Sequence, residues 1–312
     1  MKAAVLRLYS LILSTSMVAL LAASGIQAQP SKGVNDLDLG VRHGHAVWPS
    51  PESVLRDLNS RQEAVRERAL FLIGLDRAQA EEAVFEQNSN STTPKIIGQR
   101  VIMVDIAELR YAALGEDTTQ QAILSVQSGP MAFVAVAVPK GKVWERMANF
   151  SCWCKYEKNP LREAVSLAPE ALWSPTEPQR FELVLRASSG GTGVYTQQEG
   201  HYRIRNGVEL HQVLSFISRY ANGCSEGPMS CRHLERRWFV SKPVDQSYGG
   251  VLVEATSEFN TKGVPLIEYD VRDLEDRHLK SIRCSTYKWD AQNFRYSPFK
   301  SENPCVATPP NS

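Results

Sequence analysis

Two histidines two residues apart, His43-Gly44-His45, are the first residues in this chain whose type and spacing could do chemistry. Alternate residues of a strand share a face, so the pair could offer two imidazoles to one metal ion. A metal site needs a third ligand. The other histidines, His201, His211, His233 and His278, stand isolated, with no acidic cluster pointing to a partner. The glycine-rich stretch Gly190-Gly191-Thr192-Gly193 lacks the Lys-Ser/Thr of a phosphate-binding loop, and Thr196 stands where a dinucleotide fingerprint has its third glycine. It leads into a strand, so no helix N-terminus waits for a phosphate, and a strand-connecting loop is the reading. Ser285-Thr286-Tyr287-Lys288 and Ser297-Pro298-Phe299-Lys300 match Ser-x-x-Lys, but that nucleophile opens a helix and both matches lie in strand-like text. Asp270, Asp273, Glu275 and Asp276 are crowded enough for calcium, yet Arg272 and Arg277 interleave with them as in a solvated turn. Trp144, Trp153, Trp238 and Trp289 could stack on sugar rings or fill a β core. There is no G-x-S-x-G and no cysteine with a histidine in a protease context. No catalytic, cofactor-binding or metal-ligating residue is therefore assigned.

The six cysteines, at 152, 154, 224, 231, 284 and 305, come closest to a site. Their even number suits an oxidising compartment. Cys224 and Cys231 enclose Ser-Glu-Gly-Pro-Met-Ser, whose Gly227-Pro228 is a turn signal, so this pair can close locally. Pairing of Cys284 with Cys305 would fasten the tail. Chain entropy gives about 2.5 kcal/mol for the first loop and about 3.4 kcal/mol for the second. Cys152 and Cys154 are harder to place. Two apart on a strand, they face the same way, and a bridge between them would strain the backbone. Partners elsewhere, a strained bridge whose easier reduction would allow a redox role, or free thiols are the alternatives.

Localisation follows from the first 28 residues. Lys2 and Arg7 precede the apolar run Leu11 to Ala23, and Ile26-Gln27-Ala28 forms a small-residue cleavage site before Gln29. This order is that of an export signal, and the run is too short to span a bilayer. The mature chain is expected in the periplasm or outside the cell, with no membrane span. The leader takes two of the 35 basic residues and none of the 34 acidic ones, leaving a net charge of −1. A basic stripe for a phosphate backbone is not evident, because Arg232, Arg236 and Arg237 lie close to Glu226 and Glu235. No nucleic-acid partner is expected.

The elements that would position any site read as an α+β chain. Residues 29–48 form an extended lead-in and residues 49–85 a helical hairpin. In the hairpin Ser50-Pro51 opens one helix and a capping box from Ser60 to Glu63 opens the next. A polar linker over 86–98 leads to a mainly antiparallel β domain over 99–300, with two halves meeting near 155–180 and a tail over 301–312. Within the domain, strands are expected at 101–104 and 122–126, and Met131 to Val138 is apolar enough to be buried on both faces. Further strands are expected at 233–240, 251–259, 267–271 and 282–289, and a helix over 161–172. The clearest passage is 181–216. There Phe181, Leu183 and Leu185 alternate with Glu182 and Arg186, and Tyr202 and Ile204 alternate with Arg203 and Arg205. Asn206-Gly207 supplies a type I′ turn, and Val208, Leu210, Leu214 and Phe216 return on one face.

Val54 to Leu75, VLRDLNSRQEAVRERALFLIGL, resembles one helical repeat of the HEAT type; a solenoid needs at least three, so the resemblance implies a hairpin packed on the following domain. The units ending in Tyr287-Lys288-Trp289-Asp290 and Phe294-Arg295-Tyr296 resemble the FG-GAP-like β repeats of secreted bacterial proteins. That resemblance implies strand-turn-strand units, arranged as a sandwich or propeller. Such repeats commonly carry an acidic calcium loop. Here Asn35-Asp36-Leu37-Asp38-Leu39-Gly40 comes nearest, in a different place and without the full set of acidic ligands, so no calcium is inferred. The function expected is a non-catalytic exported protein with a protein or glycan partner, or a structural part of the periplasm or cell exterior. The alternative is a secreted hydrolase whose site is assembled from distant residues.

Overall fold

The computed structural model describes residues 37–85, 96–115, 118–154, 160–169, 180–191, 194–222, 230–241, 249–260 and 278–302. The leader expected at 1–28, residues 86–95 of the linker, the strand expected at 267–271, the acidic cluster at 270–276, Cys224, Cys305 and the tail beyond 302 lie outside these residues.

Alternating side chains and short polar turns build two antiparallel sheets. The first has five strands in the order β1-β7-β6-β5-β4, with β1 (Arg42–Trp48), β4 (Ile106–Ala112), β5 (Gln121–Ser128), β6 (Met131–Lys140) and β7 (Val143–Trp153). β6 is the near-continuous apolar run, and Ala132 to Ala137 are buried on both faces. One face is covered by α1 (Pro51–Leu58) and α2 (Glu63–Leu72), where Val54, Leu58, Ala69, Leu70 and Ile73 pack with Trp48 onto Leu124, Phe133 and Ala135. Burial of each such side chain contributes about 1.5–3 kcal/mol. Ser50 caps α1 as its sequence predicts, in a reciprocal box with Ser53, and Pro51 follows it. α2 differs from expectation. It begins at Glu63 with Gln62 at the cap and no side-chain cap bond, because the Ser60 hydroxyl accepts instead from the Gln62 amide two residues on. The segment 49–85 is also less helical than its sequence suggests, since α3 (Arg77–Ala80) passes into β2 (Glu81–Phe85), which pairs with β3 (Ile96–Val101). The strand expected at 101–104 is thus an earlier one that ends at Val101.

The other face of the five-stranded sheet packs against the second, larger sheet. Ala132, Val134, Val136, Ala148 and Phe150 meet Leu183, Leu185, Tyr202 and Ile204 there, with Leu161 and Ala164 of α4 (Pro160–Ala164). The helix expected over 161–172 is corrected here. It stops at Ala164, and Val165–Pro169 forms β8, because Leu167 and the β-branched Val165 alternate onto the same core and pair with Leu183 and Leu185.

The larger sheet is an uninterrupted eight-strand meander, β8 to β15, comprising β8, β9 (Phe181–Gly191), β10 (Val194–Arg205), β11 (Glu209–Asn222), β12 (Ser230–Ser241), β13 (Gly249–Asn260), β14 (His278–Asp290) and β15 (Arg295–Glu302). Consecutive antiparallel neighbours are what short turns permit. Asn206 and Gly207 have φ of 53° and 71°, both in the left-handed region that a type I′ turn demands. Trp289 pairs with Tyr296 around the Asp290–Asn293 turn. Past Tyr202, where β9 runs out, the 113–115 segment docks on β10 through the Ile204 amide and the Leu114 carbonyl, 2.8 Å apart, tying the two sheets together. The described sheets, of five, eight and two strands, are not the repeated blades of a propeller.

One register detail corrects the sequence reading. Leu210, Leu214 and Phe216 do not share a face. His201 pairs with Leu214 and Tyr202 with Gln212, so Val213 is an extra residue, and a second shift leaves Ser218 unopposed. Each bulge flips the side chains beyond it. Leu210 therefore joins the inter-sheet core, whereas Val213, Leu214 and Phe216 join a separate cluster with Leu252, Tyr287, Phe294 and Tyr296.

Candidate functional site

The faces of β9 and β10 that carry Glu182, Arg186, Glu199, His201 and Arg203 are turned largely away from water, with Arg186 the most open of the five at 24% side-chain exposure. The eight-stranded sheet curls so that β15 comes back over β9. The Tyr296 hydroxyl donates to Glu182 Oε1 at 2.6 Å, across 114 residues of chain. Glu182 is fully buried, and His201 and Arg203 are nearly so.

At the centre, His201 lies between two carboxylates. Nδ1 is 2.8 Å from Glu182 Oε2, and Nε2 is 3.0 Å from Glu199 Oε1. Arg186 Nε donates to Glu199 Oε2 at 2.5 Å, and its other end donates to the Ser166 hydroxyl at 3.1 Å. With both ring nitrogens facing carboxylate oxygens, the imidazolium form donates through each. Two carboxylates then face one imidazolium and one guanidinium, and the buried network is neutral. Aromatic rings close over it: Phe216 lies 6.1 Å from the imidazole and Trp238 meets it edge-on at 6.4 Å. Trp238 in turn stacks with Tyr296 at 5.0 Å and Tyr287 at 5.8 Å.

Burial alone would drive His201 toward its neutral form, but the hydrogen bonds to Glu182 and Glu199 outweigh it and hold the pKa at about 9. Burial likewise raises Glu199, and the His201 hydrogen bond and Arg186 charge reverse that, bringing it to about 2. The sign of the stability effect follows. The His201 contribution is complete below its ordinary value of 6.5 and is lost as pH rises through about 9. The Glu199 contribution is present above 4.5 and is lost as pH falls through about 2. Chemical unfolding of the protein should thus show its greatest stability between pH 4.5 and 6.5 and a decline toward pH 10. In a His201→Gln variant the alkaline decline should be shallower; an identical decline in both proteins would place its cause elsewhere.

The residues singled out from sequence stand apart from this network. His43 and His45 lie exposed on edge strand β1, and His45 Nδ1 is 3.1 Å from Glu145 Oε1. No group of three metal-ligating side chains occurs among the described residues. Gly190 and Gly191 end β9 at its turn into β10. Ser285 and Ser297 belong to strands β14 and β15. No helix among the described residues is long and apolar enough to cross a membrane.

Cys152 and Cys154 are bonded to each other, with Cα atoms 5.4 Å apart. That separation is ordinary for a disulfide, so partners elsewhere are not needed. Both cysteines face the inter-sheet core and are buried, while Trp153 between them points outward. Buried sulfur is closed to the thiolate attack that a redox role needs. Cys284 is also disulfide-bonded. Its backbone pairs with Val253 and Glu302, whereas Cys231 pairs with Phe259, six residues farther along β13. Register therefore separates Cys284 from Cys231 and brings it opposite Glu302, three residues before Cys305.

Sequence reasoning left Glu182, Arg186, Glu199, His201 and Tyr296 unjoined. A trace was present: Glu199 and His201 are two apart on one strand, and Glu182 and Arg186 lie on the same face of its neighbour. The missing information was the curl. Comparison with protein-family models, with curated proteins and with solved structures finds no match for this chain.

Proposed function

We propose that this chain is an exported, non-catalytic protein that binds a protein or glycan partner or serves as a structural part of the periplasm or cell exterior. Export rests on the basic, apolar and small-residue order of the first 28 residues and on six cysteines in the remainder. The observation that carries the non-catalytic reading is the state of His201. A histidine beside an acid is the usual beginning of a hydrolytic site, but a general base needs one free ring nitrogen aimed at a nucleophile. Here both nitrogens end on carboxylates within a buried cluster. The network fits a clasp that fixes the curl of the sheet and leaves recognition to the surface.

The mature chain, offered a panel of ester, glycoside and peptide substrates, should give no more turnover than its Glu182→Gln variant. Turnover that Glu182→Gln abolishes, with an unchanged circular dichroism spectrum, would replace this reading by the hydrolase alternative.

A further inference from the structure

A second cluster lies at the end of the curled sheet where the β10–β11 and β14–β15 turns meet, and it has the opposite electrostatic character. Phe294, buried and at φ 51°, turns its ring to the centre. Around that ring are the Arg203 guanidinium at 5.5 Å, the Arg205 guanidinium at 5.5 Å, the His211 imidazole at 5.6 Å and Trp289 at 5.1 Å. Arg203 also stacks on Trp289 at 4.6 Å. The strand register enforces this gathering. Arg203 and Arg205 are two apart on β10, Arg203 pairs directly with His211, and Arg295 opens β15 beside Phe294.

Among the described residues Arg205 and Arg295 have no carboxylate within ion-pair distance. The two nearest acids do not serve: Glu209 is exposed, and Asp290 is taken by the Asn293 amides at 3.1 and 2.7 Å and by Ser297. The crowding registers on His211. Burial lowers its pKa first, and Arg205, Arg295 and His43 lower it further against the pull of Glu209. A mature chain with net charge −1 has thus gathered unpaired positive charge at one point.

We propose that the Arg205, His211 and Arg295 group binds the carboxylate of an acidic sugar, a uronic acid unit of a polysaccharide. Guanidinium forks match a carboxylate bidentately, and the partly open Trp289 beside them offers an aromatic surface to a sugar ring. A nucleic acid is the poorer fit, because the cations form one point and not a stripe along which a backbone could track. The assignment rests on the binding reading above but fails separately from it: turnover would sink that reading and leave the site, whereas absent binding would sink the site alone.

The test uses the mature chain, isothermal titration calorimetry and the His211 ring resonances at low salt. Trigalacturonate should bind, move the His211 signals and raise its pKa, since a bound anion favours the protonated ring. Maltotriose should do neither. Arg205→Ala should weaken binding about tenfold or more. Arg295→Gln, an exposed substitution beside a turn, gives the same readout if the first variant does not fold. No binding, or binding unchanged in the folded variants, overturns the proposal. So does equal affinity for a triglutamate peptide or an oligonucleotide, which would make the cluster a general polyanion site.

Discussion

Replacing His201 by alanine should cost the protein about 3–5 kcal/mol of unfolding free energy, the loss expected when one member of a buried ionic network is removed and its partners stay behind. Glu182 is fully buried and Glu199 nearly so, and both direct an oxygen at the imidazole. Without it, Arg186 still answers Glu199, but Glu182 keeps a single donor in Tyr296 from the described network. Its carboxylate must then protonate or admit water. His201→Gln should lose less, since an amide can donate to one of the two carboxylates. Urea unfolding at pH 6 measures both. A loss below about 1 kcal/mol in His201→Ala would mean that the network contributes no more than an exposed pair.

Gly250→Ala should be the other severe substitution, costing about 3 kcal/mol, at the upper end of overpacking penalties. A methyl group at this position would sit 2.4 Å from Trp238 Cζ2 and 2.6 Å from the Phe239 carbonyl oxygen. The indole comes this close to the glycine because there is no side chain to hold it off. Displacing it would disturb the stack with Tyr296 and Tyr287 and open the cover over His201. The near-ultraviolet circular dichroism signal should fall together with stability. Trp238→Leu combined with Gly250→Ala should cost less than the sum of the two alone, because the smaller side chain removes the clash. Strict additivity would show that the methyl meets the backbone first.

Much of the fold was legible because it is local. Turn chemistry at Asn206-Gly207 and at 290–293, alternation in 181–186 and 202–205, and the apolar run 131–138 each specify a strand or a turn without distant help. Two readings went astray for identifiable reasons. The helix over 161–172 failed because Val165 and Leu167 satisfy a strand period as readily as a helical one, and β9 supplied a partner. The shared face of Leu210, Leu214 and Phe216 failed because bulges leave no mark in the polar-apolar pattern. Of the alternatives open for Cys152 and Cys154, the bridge between them is the one found.

The candidate site was not legible, and the cause is general. Alternation says that Glu182, Arg186, Glu199 and His201 leave one core face; it cannot say whether the opposite face meets water or a second core. Charged residues on a strand are usually solvated. Here the sheet curls until Tyr296 reaches Glu182, and the charged face becomes an interior that must be neutral to be stable. Glu199 and His201, two apart, and Glu182 and Arg186, four apart on the adjacent strand, are the pattern such an interior requires.

The most direct measurement of the clasp is the protonation state of His201 itself. Two-bond proton-nitrogen correlation spectra of the nitrogen-labelled protein, taken from pH 5 to pH 10, report each ring nitrogen separately. Both His201 nitrogens should carry protons at pH 7, and the ring should titrate at about 9. A neutral ring at pH 7, titrating near 6.5 with one nitrogen free, would contradict it and return His201 to the residues able to act as a base.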